Sequence, residues 1–226
     1  MEVEIEQMKG TESERSTSTW QCRIFVLSAI FALTGACRVQ ECDLEPDVSS
    51  NNSPIEMETT GHMEKNWAEP IELPGVPNLY KVSGDLYRGA QPSAEGMRQL
   101  KKLGIKTILN LRFILSDRSK IKDTGLDYEH INMTTLYMTD TNVVRFLKIV
   151  TDRNRTPVFV HCRQGIDRTG TMCALYRIFV QGWSKDEAIE EMTKGGFAHR
   201  RPYSVVVNYV CNLDVDRVKQ LAGLRE

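Results

Sequence analysis

The chain has 226 residues, of which 41% are hydrophobic, and its formal net charge is −1. This length allows one globular domain of about 150 residues together with additional sequence. The charge is unevenly distributed, since residues 1–72 carry fourteen acidic and five basic side chains, whereas residues 73–226 carry sixteen acidic and twenty-four basic ones. A basic domain of this kind favours an anionic substrate. It lacks a basic stripe interleaved with aromatic residues, so nucleic acid is not an expected partner.

An uncharged apolar run occupies residues 24–36. It is short for a bilayer-spanning helix but has the length of the apolar core of a secretion signal, so residues 1–37 predict an export segment. The stretch Met1–Arg23 has a net charge of −2, whereas a signal peptide is normally positive there. A start at Met8 gives this stretch a net charge of +1 and fits the pattern better.

The residues before Cys37 resemble a bacterial lipoprotein cleavage box, in which small residues precede a cysteine that is lipidated after cleavage. Thr34 departs from the leucine that is usual three residues before that cysteine. This segment fits three outcomes, namely lipidation of Cys37, cleavage with release, and an uncleaved anchor. In each case we expect an exported bacterial protein that is periplasmic or membrane-anchored. Residues 38–72 carry nine acidic and two basic side chains without apolar periodicity, which predicts a disordered acidic linker.

Residues 73–226 alternate between patterns typical of strands and of helices. Ser93 predicts the N-cap of a helix that Gly104 ends, and the spacing of Ser184 and Glu187 predicts a capping box. In chain order we predict a hairpin of residues 79–82 and 86–88, a helix over 93–103, strands over 105–111 and 128–133, a helix over 142–152, a strand over 157–161, and helices over 169–181, 184–194 and 204–221. This alternation predicts an α/β fold with a central, largely parallel sheet flanked by helices.

Cys162 and Arg168 are separated by five residues and follow the apolar run of residues 157–160. This order places a thiol at the end of a buried strand, then a turn containing Gly165, and then the start of a helix. The backbone N–H groups of such a turn converge on one point, and the N-terminal end of the helix adds positive potential. The same potential stabilises a thiolate, so we expect Cys162 to be ionised near neutral pH and nucleophilic. Arg168 offers a planar, permanently charged fork for two phosphoryl oxygens.

The predicted phosphate-binding loop comprises Arg163, Gln164, Gly165, Ile166, Asp167 and Arg168. His161 and Thr169 flank it as supporting residues. The Thr169 hydroxyl is expected to hydrogen-bond the Cys162 sulfur and to make it a better leaving group in a second, hydrolytic step.

Residues 161–170 contain the pattern His-Cys-x-x-Gly-x-x-Arg-Thr-Gly, which resembles the signature of the cysteine-dependent protein tyrosine and dual-specificity phosphatases. The resemblance covers roughly residues 76–212 and implies a protein-tyrosine-phosphatase-like sandwich. Residues 86–92 and 108–112 also look like segments that recur in small bacterial and plant-type dual-specificity phosphatases. These segments are less specific than the signature, and no catalytic role is predicted for Arg88 or Arg112.

The signature does not identify the general acid that protonates the leaving oxygen. In the family that the chain resembles, a mobile loop usually supplies an aspartate about thirty residues before the nucleophile, but residues 129–132 contain none. Asp167 is our preferred candidate, because an aspartate at this place serves as the acid in a subset that includes several phosphoinositide phosphatases. The neighbouring Arg168 opposes this role by favouring the ionised carboxylate. Asp140, twenty-two residues before Cys162, is the alternative, although it also fits the cap of the following helix.

Together these residues predict an enzyme that hydrolyses phosphate monoesters through a phosphocysteine intermediate. The family resemblance implies that its substrates include phosphotyrosine, phosphoserine and phosphothreonine. Two alternatives stay open: a phosphoinositide or small phosphate-ester phosphatase, and a non-catalytic phosphate-binding module. The basic cluster of residues 199–201 fits either the lining of a polyphosphate pocket or a solvated turn.

We expect neither a cofactor nor a metal. The six cysteines include no Cys-x-x-Cys pair, and Arg168 with the loop amides supplies the positive potential that the reaction needs. Cys173 and Cys211 are expected to pack as small apolar side chains.

Overall fold

Short apolar runs of the basic domain form the centre of a six-stranded sheet. The computed structural model describes residues 66–197 and 202–224; the predicted export segment with Cys37, most of the predicted linker and the basic cluster of residues 199–201 lie outside them. Strands occur at Glu69–Pro70 (β1), Tyr80–Lys81 (β2), Leu86–Gly89 (β3), Thr107–Asn110 (β4), Asp127–His130 (β5) and Val158–His161 (β6). Their order is β1-β2-β3-β6-β4-β5, and the pairs β3–β6, β6–β4 and β4–β5 are parallel. The predicted α/β fold with a largely parallel central sheet is confirmed.

Helices connect and cover these strands. They occur at Ala94–Lys102 (α1), Arg118–Ile121 (α2), Asp140–Val150 (α3), Asp167–Gln181 (α4), Lys185–Lys194 (α5), Ser204–Asn212 (α6) and Val215–Ala222 (α7). The β2–β3 hairpin, the Ser93 cap of α1 and the Ser184–Glu187 capping box of α5 are found as predicted. Among the described residues, no helix has both the length and the apolar character needed to cross a bilayer.

The side chains of the central strands alternate between two apolar cores. In β6, Val158 and Val160 belong to the larger core, to which α3, α4, α5, α6 and α7 contribute, whereas Phe159 belongs to the smaller core built with α1. All four β6 residues are buried, as expected of a parallel strand that is covered on both faces. Both cores therefore fix β6 in place, and with it the position of His161 at its carboxyl end.

The single helix predicted over residues 204–221 is wrong, because α6 and α7 are separate helices. Lys185 of α5 donates from Nζ to the carbonyl groups of Cys211 and Leu213, which satisfies acceptors at the end of α6. Asp214 then caps α7 by accepting a hydrogen bond from a backbone N–H. A contact with a different helix therefore decides where α6 ends.

Three smaller features also differ from the prediction. Helix α3 begins two residues earlier than predicted, and its N-cap is Thr139, so Asp140 is not the cap. The short helix α2 was not predicted. Strand β1 and the buried Ala68 lie inside the stretch predicted as linker, so the ordered sheet begins before residue 73.

Candidate active site

The predicted nucleophile lies where the central strand turns into a helix. Strand β6 ends at His161, the turn runs through residues 162–166, and α4 begins at Asp167. Cys162 is 3% exposed, and the backbone N–H of Gly165 donates to its Sγ at 3.3 Å. The sulfur therefore faces the inside of a turn that leads into the positive end of a helix, a setting that stabilises an anion.

Three successive carbonyl groups of this turn point outward and are held there by neighbouring segments. The bonds run from the Gln91 N–H to the Arg163 carbonyl at 3.3 Å, from Asn78 Nδ2 to the Gln164 carbonyl at 3.0 Å, and from Arg88 Nη2 to the Gly165 carbonyl at 2.7 Å. Because the N–H of a trans peptide unit points opposite to its carbonyl, the N–H groups of residues 164–166 face the inside of the turn. The structure thus shows the cradle of amides that the sequence predicts, braced from outside.

Gly165 is required by the backbone of the turn. Its φ angle is +74°, and a Cβ built on it would lie 2.6 Å from the carbonyl carbon and oxygen of Gly89. Residues with a side chain rarely adopt this conformation, and here the side chain would also meet backbone. Since Gly89 is paired with His161 at the end of β3, the turn packs backbone to backbone against the neighbouring strand.

Arg88 is a buried cation beside the turn that sequence analysis did not assign to the site. It is 2% exposed, and its guanidinium carbon lies 3.7 Å from the centroid of the Phe197 ring, in addition to the bond to the Gly165 carbonyl. No local sequence signal identifies it, because an arginine in a short strand is normally solvent-exposed. Its place in the site follows from β3 lying next to β6.

Arg168 is held from behind by two strand ends. Its Nη1 donates to the carbonyl oxygens of Leu111 and Met133, each at 3.3 Å, just beyond β4 and β5. Its buried Nε has no hydrogen-bond partner among the described residues. A desolvated guanidinium donor without a partner is costly, and a phosphoryl oxygen is the kind of acceptor that suits it.

His161 and Asp117 form a second buried contact behind the turn. His161 Nδ1 lies 3.2 Å from the Cys162 carbonyl oxygen, and its Nε2 lies 3.2 Å from Asp117 Oδ2. Gln91 Nε2 donates to Asp117 Oδ1. Burial by itself raises the pKa of Asp117, but its interaction with His161, the Gln91 bond and the nearby Lys120 together lower it below the ordinary value. Asp117 was not among the predicted site residues; it lies on the loop between β4 and α2, directly before α2.

The other predicted loop residues fall into two groups. Arg163 and Gln164 are exposed, whereas Ile166 is buried and immediately precedes α4. Thr169 is fully buried, and its hydroxyl makes no hydrogen bond to any part of the chain that the structure describes. Its hydrogen bond to the sulfur stays a prediction.

The two candidate acids lie in different surroundings. Asp167 is 7% exposed at the first residue of α4, and its Oδ1 accepts a hydrogen bond from the Tyr203 N–H at 3.0 Å. Asp140 lies in the first turn of α3, with its Oδ2 3.4 Å from Arg217 Nε of α7. Burial, and then the negative charge of Asp140, raise the pKa of Tyr209. Asp140 is thus engaged with the helices that cover α3, whereas Asp167 belongs to the phosphate loop itself.

Two further cysteines lie in or against the larger core. Cys173 is 2% exposed, and burial raises the pKa of its thiol to about 11, which fits the predicted packing role. Cys211 packs against the same core but is also disulfide-bonded, which the packing prediction did not include.

A cysteine in an amide-lined turn, a helix N-terminus behind it and an arginine whose Nε is unpartnered in the described part of the chain define a cysteine-dependent phosphatase site. Comparison with known proteins agrees. A family model described as DSP-PTPase phosphatase fused to NAD+ kinase matches residues 79–202. The chain belongs to this DSP-PTPase phosphatase family, as its resemblance to the dual-specificity phosphatases predicts, and it is an enzyme of that class.

Individual relatives support the assignment. The dual specificity protein phosphatase TpbA of Pseudomonas aeruginosa is 34% identical over 164 residues, which are 72% of this chain and 73% of TpbA. A crystal structure of a cysteine-to-serine variant of P. aeruginosa TpbA in complex with pTyr has a TM-score of 0.64 and 30% identity, covering 73% of this chain and all of that one. The inositol diphosphatase DSP3 of Arabidopsis thaliana is 26% identical over 174 residues, which are 73% of this chain and 80% of DSP3.

Proposed function

We propose that this protein removes phosphate from phosphotyrosine in proteins, and from phosphoserine and phosphothreonine as well. The observation that carries the proposal is the braced turn, in which the N–H groups of residues 164–166 face the same side as the Cys162 sulfur, together with Arg168, whose buried Nε has no hydrogen-bond partner within the described residues. The similarity to TpbA, whose structure has been determined with pTyr, supports phosphotyrosine as a substrate.

In the first step, the Cys162 thiolate attacks phosphorus in line with the leaving oxygen. The P–S bond forms as the P–O bond to the leaving group breaks, while the loop amides and Arg168 stabilise the charge on the equatorial oxygens. An aspartic acid donates its proton to the leaving oxygen. We assign this role to Asp167, because it lies within the phosphate loop, whereas Asp140 pairs with Arg217.

In the second step, water attacks the phosphocysteine. The P–S bond breaks and Cys162 leaves as a thiolate, while the aspartate formed in the first step takes the proton from water. Phosphate then departs and the enzyme returns to its starting state.

The test is a comparison of two cysteine variants. We expect Cys162→Ser to abolish phosphate release from a phosphotyrosine peptide, and Cys173→Ala, a buried cysteine outside the site, to retain it. Rapid acid quench of the unmodified enzyme should trap phosphate on Cys162. Unchanged phosphate release by Cys162→Ser, or the absence of a trapped adduct under turnover, contradicts the mechanism.

The acid assignment has its own test. Asp167→Asn should slow hydrolysis of phenyl phosphate strongly but hydrolysis of p-nitrophenyl phosphate much less, because the more acidic phenol leaves without a proton. Asp140→Asn should slow both esters equally or not at all. The reverse pattern assigns the acid to Asp140.

A second candidate function is a phosphoinositide or small phosphate-ester phosphatase. It is favoured by Asp167 directly before Arg168 and by the similarity to the inositol diphosphatase DSP3. Phosphotyrosine peptides and inositol polyphosphates supplied at equal concentration separate the two candidates. A higher kcat/KM for the inositol polyphosphates makes the second candidate the primary function.

We also propose that the protein is exported, with lipidation of Cys37 as its attachment to the membrane. The apolar run of residues 24–36, which has the length of the apolar core of a secretion signal and directly precedes Cys37, supports export. Expression in bacteria with a labelled fatty acid tests the attachment, with Cys37→Ser as the control. Label retained by Cys37→Ser contradicts lipidation, and a soluble periplasmic product indicates cleavage and release.

A further inference from the structure

Two loops beside the catalytic turn expose large apolar side chains. These are Phe113, Ile114 and Leu115 after β4 and Leu136 and Tyr137 after β5, with exposures of 53%, 69%, 56%, 68% and 78%. We call these five residues the apolar rim. Exposed apolar residues are common singly, but a group of five on two adjacent loops marks an interaction surface.

Arg168 connects the two loops of the apolar rim to the predicted phosphate-binding loop. Arg168 Nη1 donates to the carbonyl oxygens of Leu111 and Met133, the residues at which the two loops leave the sheet. The N–H of Leu111 donates at 2.8 Å to the carbonyl of His161, the residue before the nucleophile. Both loops therefore start at the phosphate site and lead outward from it.

The first loop is held in a strained conformation that presents its side chains. Ile114 has a φ angle of +64°, which is a genuine outlier for a β-branched residue, and the N–H of Leu115 donates to the Phe113 carbonyl at 2.7 Å. Two asparagine side chains fix this turn: Asn110 Nδ2 donates to the Leu115 carbonyl at 2.7 Å, and Asn132 Oδ1 accepts from the Ile114 N–H at 3.3 Å. Such strain persists where the surroundings enforce it and is concentrated at functional sites.

We propose that the apolar rim binds apolar side chains that flank the phosphorylated residue of a protein substrate. The inference rests on the proposed function and narrows its substrates to phosphorylated sequences with an apolar residue beside the phosphorylated one. Both loops of the rim begin next to carbonyls that accept from Arg168, so a chain whose phosphate is bound at Arg168 has its neighbouring residues close to the rim.

The charges around the apolar rim favour a peptide over a membrane or an inositol phosphate. Residues 113–115 and 132–139 contain no charged side chain. Of the two arginines that flank the first turn, Arg112 is paired with a carboxylate, since its Nη1 lies 3.9 Å from Asp117 Oδ1, whereas Arg118 is exposed and lies 5.0 Å over the Tyr128 ring. A membrane-binding surface normally adds exposed lysine or arginine to its apolar residues, and a polyphosphate requires cations.

The test compares two phosphotyrosine peptides that differ only in carrying leucine or serine on both sides of the phosphorylated residue. We expect the unmodified enzyme to favour the leucine peptide about tenfold in kcat/KM, which corresponds to about 1.4 kcal/mol. In the double variant Ile114→Asn, Leu136→Ser this ratio should fall to about twofold or less. Asparagine tolerates a positive φ, so the turn is kept while the apolar side chain is removed. Leu103→Asn, at the far end of α1, is the matched control and should keep the full ratio.

Peptide binding to the Cys162→Ser variant, measured by titration, separates this inference from the proposed function. We expect Cys162→Ser to bind the leucine peptide more tightly than the serine peptide, and we expect this preference to disappear when Ile114→Asn and Leu136→Ser are added to it. That result supports peptide binding by the rim even if the enzyme turns over no phosphopeptide. Equal binding of both peptides overturns the proposal. It is equally overturned if the double variant keeps the peptide preference but loses binding to phosphatidylglycerol vesicles, which makes the rim a membrane surface.

Discussion

Replacement of Arg88 by methionine should impair catalysis although Arg88 is not placed to touch the substrate. The change removes the bond at 2.7 Å that holds the Gly165 carbonyl outward and the N–H of residue 166 inward. A hydrogen bond to a charged group contributes about 1.5–3 kcal/mol, which is about 10- to 150-fold in the population of the competent turn. We therefore expect Arg88→Met to lower kcat/KM for p-nitrophenyl phosphate by about 10- to 100-fold.

The assay must separate a misplaced turn from a loss of folded protein. Arg177 is the matched control, because it is equally buried at 2% exposure and lies 4.3 Å over the Trp183 ring, but pairs with Glu191 instead of the phosphate loop. Thermal denaturation gives the folded fraction of each variant, and titration with inorganic phosphate gives its affinity. Arg177→Met should lose stability but keep the kcat/KM and phosphate affinity of the folded fraction. If Arg88→Met also keeps both, the argument that Arg88 positions the turn is refuted.

Three further predictions concern other parts of the molecule. Gly165→Ala should lower kcat by at least about 100-fold, because its Cβ would collide with the Gly89 backbone and displace an inward-facing N–H. Near-normal activity of this variant in steady-state kinetics contradicts the prediction. The pKa of the Asp117 carboxyl is lower in the folded protein than its ordinary value of 3.8, so the ionised carboxyl stabilises the fold at pH values above 3.8. This stabilisation is lost as the pH falls through the pKa that Asp117 has in the folded protein. Asp117→Asn should therefore reduce Tm at pH 7 and less so below about pH 4, and a Tm difference that is independent of pH argues against it. Ser184→Ala should cost about 1 kcal/mol of unfolding free energy in urea denaturation by removing the cap of α5, and an unchanged midpoint shows that the cap contributes nothing.

The elements that were predicted well are those that neighbouring residues decide. Ser93 caps α1 by accepting from the Gly96 N–H, and Ser184 and Glu187 cap α5, within three residues in each case. The helix predicted over residues 204–221 is broken where Lys185, on a different helix, donates to the carbonyls at the end of α6 and where Asp214 caps α7. The Asp214 cap is a local signal that could have located this break. Apolar periodicity continues through the break and contains no information about the Lys185 contact.

The catalytic loop was the most predictable part of the site. Cys162, Gly165 and Arg168 belong to one short segment, and a turn of this kind presents its own backbone N–H groups to an anion, so their spacing was enough to predict the site. The sequence did not decide between Asp167 and Asp140 as the acid, because that choice depends on which carboxyl reaches the leaving oxygen. Within the structure, Asp167 is the first residue of α4, directly after the turn, and Asp140 pairs with Arg217 of α7.

Only the tertiary structure shows what holds this loop in place. Arg88, which braces the Gly165 carbonyl, is 77 residues away along the chain, and Asp117, beside His161, lies on the loop after a different strand. They meet because the sheet order places β6 between β3 and β4, so residues from both neighbours surround the end of the central strand. The sequence by itself was enough to predict the nucleophile and the phosphate-binding arginine, because Cys162 and Arg168 belong to one short segment. The order of strands in the sheet determines which distant residues donate hydrogen bonds to the outward-facing carbonyls of the turn. Buried backbone acceptors need such donors, and only the packing of the chain brings them close.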